Sequence, residues 1–203
     1  MAGLGGVQVF VPPPGWFDPH NWTDPGTTGI PWDAADSGLL TASGEVSQFA
    51  STFALTAGTI VLAKMPVRTP ILVTSLLLSM TVAGSGGSTG SFAGYYSPTG
   101  QLLATSADIA AALTGATGVL TIPMAGGPQV VQPPFIWAAV VTNLATTQPT
   151  LTRNGGAVAV ALFGNTAATM RYATNATGQT SLPATISLAA NVGTANSLLA
   201  AAV

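Results

Sequence analysis

Proline and glycine interrupt this chain so often that no long helix fits between them: 15 Pro and 24 Gly are spread over 203 residues. Each Pro fixes φ and removes a backbone donor, and each Gly inside an element costs conformational entropy. Between the interruptions lie short apolar segments, several rich in β-branched and aromatic residues. Thr59 to Lys64, Ile71 to Val82, Ser91 to Tyr96, Val119 to Ile122, Phe135 to Val141 and Ala157 to Phe163 read as strands, most bounded by Gly, Pro or Asn. Gly84 to Gly87, Ser97 to Gly100 (a type I or II turn) and Asn154-Gly155 carry hairpin or loop geometry. The expected fold is all-β, an antiparallel sandwich. One short helix is expected within Ser106 to Leu113, capped by Ser106 and ending before Gly115, with Asp108 near the positive end of its dipole.

Charge divides the chain. It carries six acidic and four basic residues, whereas a freely diffusing domain has about a quarter of its residues charged. So dry a surface is expected to be covered by other protein. Asp18, Asp24, Asp33, Asp36 and Glu45 all precede residue 46, in a stretch that also contains Trp16, Phe17, Trp22 and Trp32. Pro12 to Pro14, Pro19, Pro25 and Pro31 exclude a helix or a central strand there. Residues 1–45 therefore read as an extended docking arm, with Trp16, Phe17, Trp22 and Trp32 as the partner-docking side chains, and residues 46–203 as the sandwich body. Ile71 to Val82 and Ala157 to Phe163 alternate too little to leave one face wet, and Leu182 to Val203 carries no charge. Both features predict a homo-oligomer, with the apolar C-terminal tail buried against a partner chain.

Most catalytic chemistry lacks its residues. Without Cys there are no disulfides, thiolate metal sites or thiol nucleophiles. His20 is the single His, and a Pro-rich arm gives a triad, a general base or an Asp18-His20-Asp24 metal site no scaffold. Beyond residue 45 the sole acid is Asp108, so the body holds no pair of carboxylates of the kind glycoside cleavage places about 5 to 10 Å apart. Gly84 to Gly90 lacks the Lys-Ser or Lys-Thr of a phosphate loop. Lys64, Arg68, Arg153 and Arg171 are too scattered to follow a nucleic-acid backbone. Pro70 to Gly84, the longest apolar stretch, is interrupted by Thr and Ser and is shorter than the roughly 20 residues of a membrane helix. A membrane β-barrel is the remaining membrane alternative. The opening residues, Met1 to Gly6, lack the features of a signal peptide. Tyr95, Tyr96 and Trp137 could stack on a sugar, although strand geometry turns such residues inward. No catalytic residue, cofactor, metal, nucleic acid or membrane partner is expected.

Gly58 to Lys64, Gly94 to Asp108, Gly118 to Pro123 and Phe135 to Asn143 together resemble a module of tail-fibre, minor-tail and other virion surface proteins of bacteriophages infecting actinobacteria. The resemblance covers about residues 58 to 143 and implies a jelly-roll-like sandwich in a homotrimer on the tail or capsid surface, made in the host cytoplasm. The implied partners are further copies of the chain, other virion proteins such as the tail or major capsid protein, and, as the alternative role, a host surface glycan bound through loops Gly84 to Gly90 and Thr146 to Asn154. The acidic, Trp-rich start has no counterpart in that pattern.

Overall fold

The computed structural model describes residues 34–44, 51–87, 89–154, 166–167, 170–194 and 197–203. Its strands, in chain order, are β1 (Thr41–Ala42), β2 (Ser51–Ala54), β3 (Val61–Pro66), β4 (Ile71–Val73), β5 (Ser75–Val82), β6 (Phe92–Tyr96), β7 (Leu102–Thr105), β8 (Gly118–Pro123), β9 (Gln129–Val131), β10 (Phe135–Val141), β11 (Thr150–Asn154), β12 (Tyr172–Thr174), β13 (Val192–Gly193), β14 (Ser197–Leu198) and β15 (Ala200–Ala202). One helical turn, α1 (Ala110–Leu113), lies between β7 and β8. The protein is all-β, as its Pro and Gly spacing requires.

The pairing is that of a jelly roll. One sheet contains the antiparallel order β2-β11-β5-β8, and the other β3-β10-β6-β7. From β2 to β11 the chain alternates between these sheets, except at the β6–β7 hairpin, which stays in one. That hairpin turns at Ser97–Gly100, where the Gly100 amide donates to the Ser97 carbonyl at 3.0 Å and Gly100 has φ 87°. Gly84 to Gly90, read as a hairpin loop, instead carries the chain from β5 in one sheet to β6 in the other.

Two further departures have local causes. Ile71 to Val82 is broken at Thr74, because the Thr74 and Ser75 amides both donate to the Val203 carbonyl, at 2.7 and 3.0 Å. The part before the break pairs with β9 as a separate ribbon. The C-terminal residues, expected against a partner chain, are buried within their own. β11 leaves β5 after Leu151, and the resulting fork is filled by β14 on β11 and β15 on β5. Ala200, Ala201 and Ala202 are almost fully buried there, and β1 pairs along the far side of β15. Thr41–Ala42 thus belong to the compact unit Ala34–Val203, so this part of the presumed arm is sheet.

The inter-sheet core takes alternate residues from both sheets: Leu76, Leu78 and Met80 of β5 meet Ile136, Ala138 and Val140 of β10, with Tyr95, Met65 and Leu151. β10 has no polar residue, and the reason lies on its other face. Trp137, Ala139 and Val141 form a second cluster with Leu62 and Tyr96, roofed by Leu182 and Ile186. The roofing segment is pinned by backbone bonds from Leu102 to Ala184 (2.9 Å) and from Ile186 to Gly100 (2.8 Å), and by the Tyr96 hydroxyl donating to Pro183 (3.0 Å). A strand apolar on both faces is therefore covered here by its own chain. β5 does alternate: Leu77 and Ser79 are half-buried, between inward-facing Leu76, Leu78 and Met80. Ala157 to Phe163 lie outside the described residues.

Candidate functional site

Trp16, Phe17, Trp22 and Trp32, like Asp18, His20 and Asp24, lie outside the described residues. Within the body the residue types that carry chemistry are committed to holding backbone. Asp108 spends both carboxylate oxygens this way: Oδ1 accepts from the Ala110 amide at 2.9 Å and Oδ2 from the Gly90 amide at 2.6 Å. It ties the inter-sheet crossing to the first turn of α1. Ser106, expected to cap that turn, instead accepts from the Ala93 amide (3.1 Å) and donates to the Ala107 carbonyl (2.6 Å). Asp108 has the shorter reach to the helix amide.

Three of the four cations are engaged by the body. Arg171 Nη2 and Nε donate to the Ser43 carbonyl at 2.7 and 3.2 Å, beside the Tyr172 hydroxyl at 2.7 Å on the same oxygen. Arg153 Nε donates to the Thr52 carbonyl at 2.9 Å. Lys64 Nζ lies 4.4 Å from the Phe135 ring centre and 4.8 Å from that of Trp137, and partial burial lowers its pKa. Arg68 is exposed, in the loop after β3. The basic complement available to an acidic arm on this body is therefore thin.

Tyr95, Tyr96 and Trp137 are wholly buried and offer no platform to a sugar. Burial pushes the Tyr95 hydroxyl up to about 12 and raises that of Tyr96 as well. Among the described residues the Tyr95 hydroxyl and Trp137 Nε1 have no hydrogen-bond partner. The two loops that a receptor-binding role would use do meet. Ser85 Oγ and Thr147 Oγ1 are 2.7 Å apart, and the Ala145 amide donates to the Gly86 carbonyl at 2.8 Å. Gly86 has φ 77°, and a Cβ there would lie 2.4 Å from Thr146 Oγ1. Of Thr146 to Asn154, however, residues from Thr150 onward form β11, so only Thr146 to Pro149 is loop.

Among the described residues no titratable group lines either of two surface cavities. A cavity of about 470 Å³ is bordered by Asn175, Thr177, Gln179, Thr185 and Ser187. A second, of about 210 Å³, lies on the open face of the first sheet, between Leu39, Leu77, Ser79, Val119 and Leu199. Val119 is 69% exposed there. The same face ends at β8, whose only strand partner among the described residues is β5. No local pattern announces this edge, because Gly118 to Pro123 lies within an uncharged run that extends from Ile109 to Thr152. Among the described residues no three His, Cys, Asp or Glu side chains converge on a metal position, and no helix is long and apolar enough to cross a membrane. The strands enclose an apolar interior between two sheets, where a membrane barrel has a polar lumen.

No protein-family model matches this chain, and no curated protein matches its sequence.

Proposed function

We propose that this protein is a non-catalytic structural subunit of a virion surface, a jelly roll that assembles with copies of itself and docks through its N-terminal segment on a tail or capsid protein. Jelly rolls serve capsids, lectins and enzymes alike, so the fold carries no function alone. The observation that favours a structural role is the use of the charged groups. The one acid beyond residue 45 and three of the four cations bond or pack against the body itself, and the open face of the first sheet carries an uncharged, largely apolar patch of Leu39, Leu77, Val119 and Leu199 beside Ser79. Such a patch suits an interface between subunits. The resemblance over residues 58 to 143 supplies the virion and, by itself, the trimer.

Reconstitution onto particles tests this reading. The chain is compared with a version starting at Ala34, which retains β1, and with Trp22→Ala and Trp32→Ala. The shortened protein is expected to fold but to be lost from particles. Decoration equal to that of the full chain would move the anchor from the N-terminal segment to the body.

A further inference from the structure

Among the described residues β8 has one free edge, and the directions of its backbone groups limit what can pair there. The direction in which its backbone groups point follows from neighbouring bonds. Ser75 and Val203 exchange both backbone hydrogen bonds, at 3.0 and 3.1 Å, so Ser75 turns its backbone groups toward β15. Along a strand these groups alternate sides. Leu76, Leu78 and Met80 therefore face β8, and their register partners Ile122, Leu120 and Gly118 are the hydrogen-bonded pairs. Val119 and Thr121 consequently aim both N–H and C=O off the sheet, while Pro123 has no N–H to offer. No residue of β8 donates to or accepts from anything but β5 among the described residues.

An unpaired, uncharged edge of this kind is rare, since proteins protect edges with Lys, Pro, bulges or covering segments. The other sheet shows the contrast: outer strand β7 is covered, with the Leu102 amide on Ala184 (2.9 Å) and the Ala125 amide on the Thr105 carbonyl (2.9 Å). At β8 the only protection among the described residues is Pro123, at one end.

We infer that β8 pairs antiparallel with β8 of a second copy, joining the two first sheets into one across a twofold axis at Leu120. This rests on the reading of the chain as an assembling subunit and assigns its surface. The register is self-consistent. With Leu120 opposite Leu120 of the second copy, Val119 stands opposite Thr121 of that copy, and these are the residues whose N–H and C=O point outward. Each such pair exchanges two N–H···O bonds, and Pro123 falls beyond the ladder, where its missing donor costs nothing. Charge also permits it: an isologous contact sets the same strip against itself, and Gly118 to Pro123 carries no charge to repel its copy. Leu120, half-buried against the main core, becomes covered on its open side, and Val119 extends the apolar strip with Leu77 across the axis. The contact is twofold, so any threefold assembly needs a different surface in addition.

The test uses the full chain, which has no cysteine of its own. Val119→Lys places two like charges beside the axis and is expected to weaken self-association by about tenfold or more in sedimentation velocity. Val130→Lys and Val192→Lys, at exposed positions on β9 and β13, are expected to leave it unchanged. Leu120→Cys is expected to give a covalent dimer on mild oxidation, because opposed residues of a non-hydrogen-bonded pair lie within disulfide reach. Val130→Cys should not. If the wild-type chain associates while Val119→Lys associates equally and Leu120→Cys does not cross-link, the edge inference falls and the assembly reading survives. If the wild-type chain is a monodisperse monomer at micromolar concentration, both fall.

Discussion

Removal of Ala200 to Val203 separates a tail that stabilises its own fold from one that serves a partner. In the structure these residues accept from the amides of Leu40 (2.9 Å), Ser43 (2.8 Å), Thr74 (2.7 Å) and Ser75 (3.0 Å), and the Val203 amide donates to Ser75 (3.1 Å). At about 1 kcal/mol net per bond these five alone contribute about 5 kcal/mol. The loss of buried apolar surface at Ala200 and Ala202 adds to it. Domains are stable by only about 5 to 15 kcal/mol in total. The truncated chain is therefore expected to lose its cooperative transition or to melt at least about 10 °C lower, at about 2 to 4 °C per kcal/mol for a domain of this size. Near-ultraviolet circular dichroism and thermal unfolding, at matched protomer concentration, read the effect. Ala202→Asp, which places a carboxylate at a wholly buried position, should act in the same direction. A truncated protein that melts like the full chain but no longer self-associates would return the tail to a partner and refute the fork.

Other perturbations follow from the same packing. Trp137→Ala empties the roofed cluster and is expected to cost about 3 to 5 kcal/mol in denaturant unfolding; a change below about 1 kcal/mol would mean that the roof is not closed. Tyr95 and Tyr96 stay protonated when folded, above the pH of about 10 at which the unfolded chain releases those protons. Their contribution is complete below that pH; that of Tyr95 is lost as pH rises through about 12, and that of Tyr96 at still higher pH. Tyr95→Phe, which also removes an unpartnered hydroxyl, should flatten this alkaline limb in a pH series of melting temperatures. Asp108→Ala frees the Gly90 and Ala110 amides and should destabilise by about 2 kcal/mol. The pure chain should not turn over peptidoglycan, capsular glycan or ester substrates, and turnover that vanished in Asp108→Asn would overturn that expectation.

What the sequence made legible was local. Pro and Gly spacing marked most strand limits and Ser97–Gly100 announced its hairpin, whereas cover on both faces was expected of Ile71 to Val82 and is found instead at β10. The cover's origin was not legible, because Leu182 and Ile186 approach Trp137 from far along the chain. β15 was hidden for a similar reason: Ala has little strand propensity, and Ala200 pairs with Leu78, more than a hundred residues earlier. The break at Thr74 depends on the carbonyl of Val203, which no local pattern signals. Thr41–Ala42 read as arm because their strand partners are those same C-terminal alanines. The order of strands within the sheets was not legible, because periodicity marks strands and leaves their pairing open. The β8 edge was not legible, because Gly118 to Pro123 looks like the rest of an uncharged run, and that β8 lacks a second strand neighbour among the described residues is a fact of topology.

The claim that this chain is a virion surface subunit is tested most directly by imaging purified particles with an antibody raised against the body, residues 34–203. Label at regular positions on the tail or on the capsid exterior is the expected result, and the pattern would also report the symmetry of the assembly. Particles free of label, with the protein recovered only from the unassembled fraction of the host lysate, would contradict it.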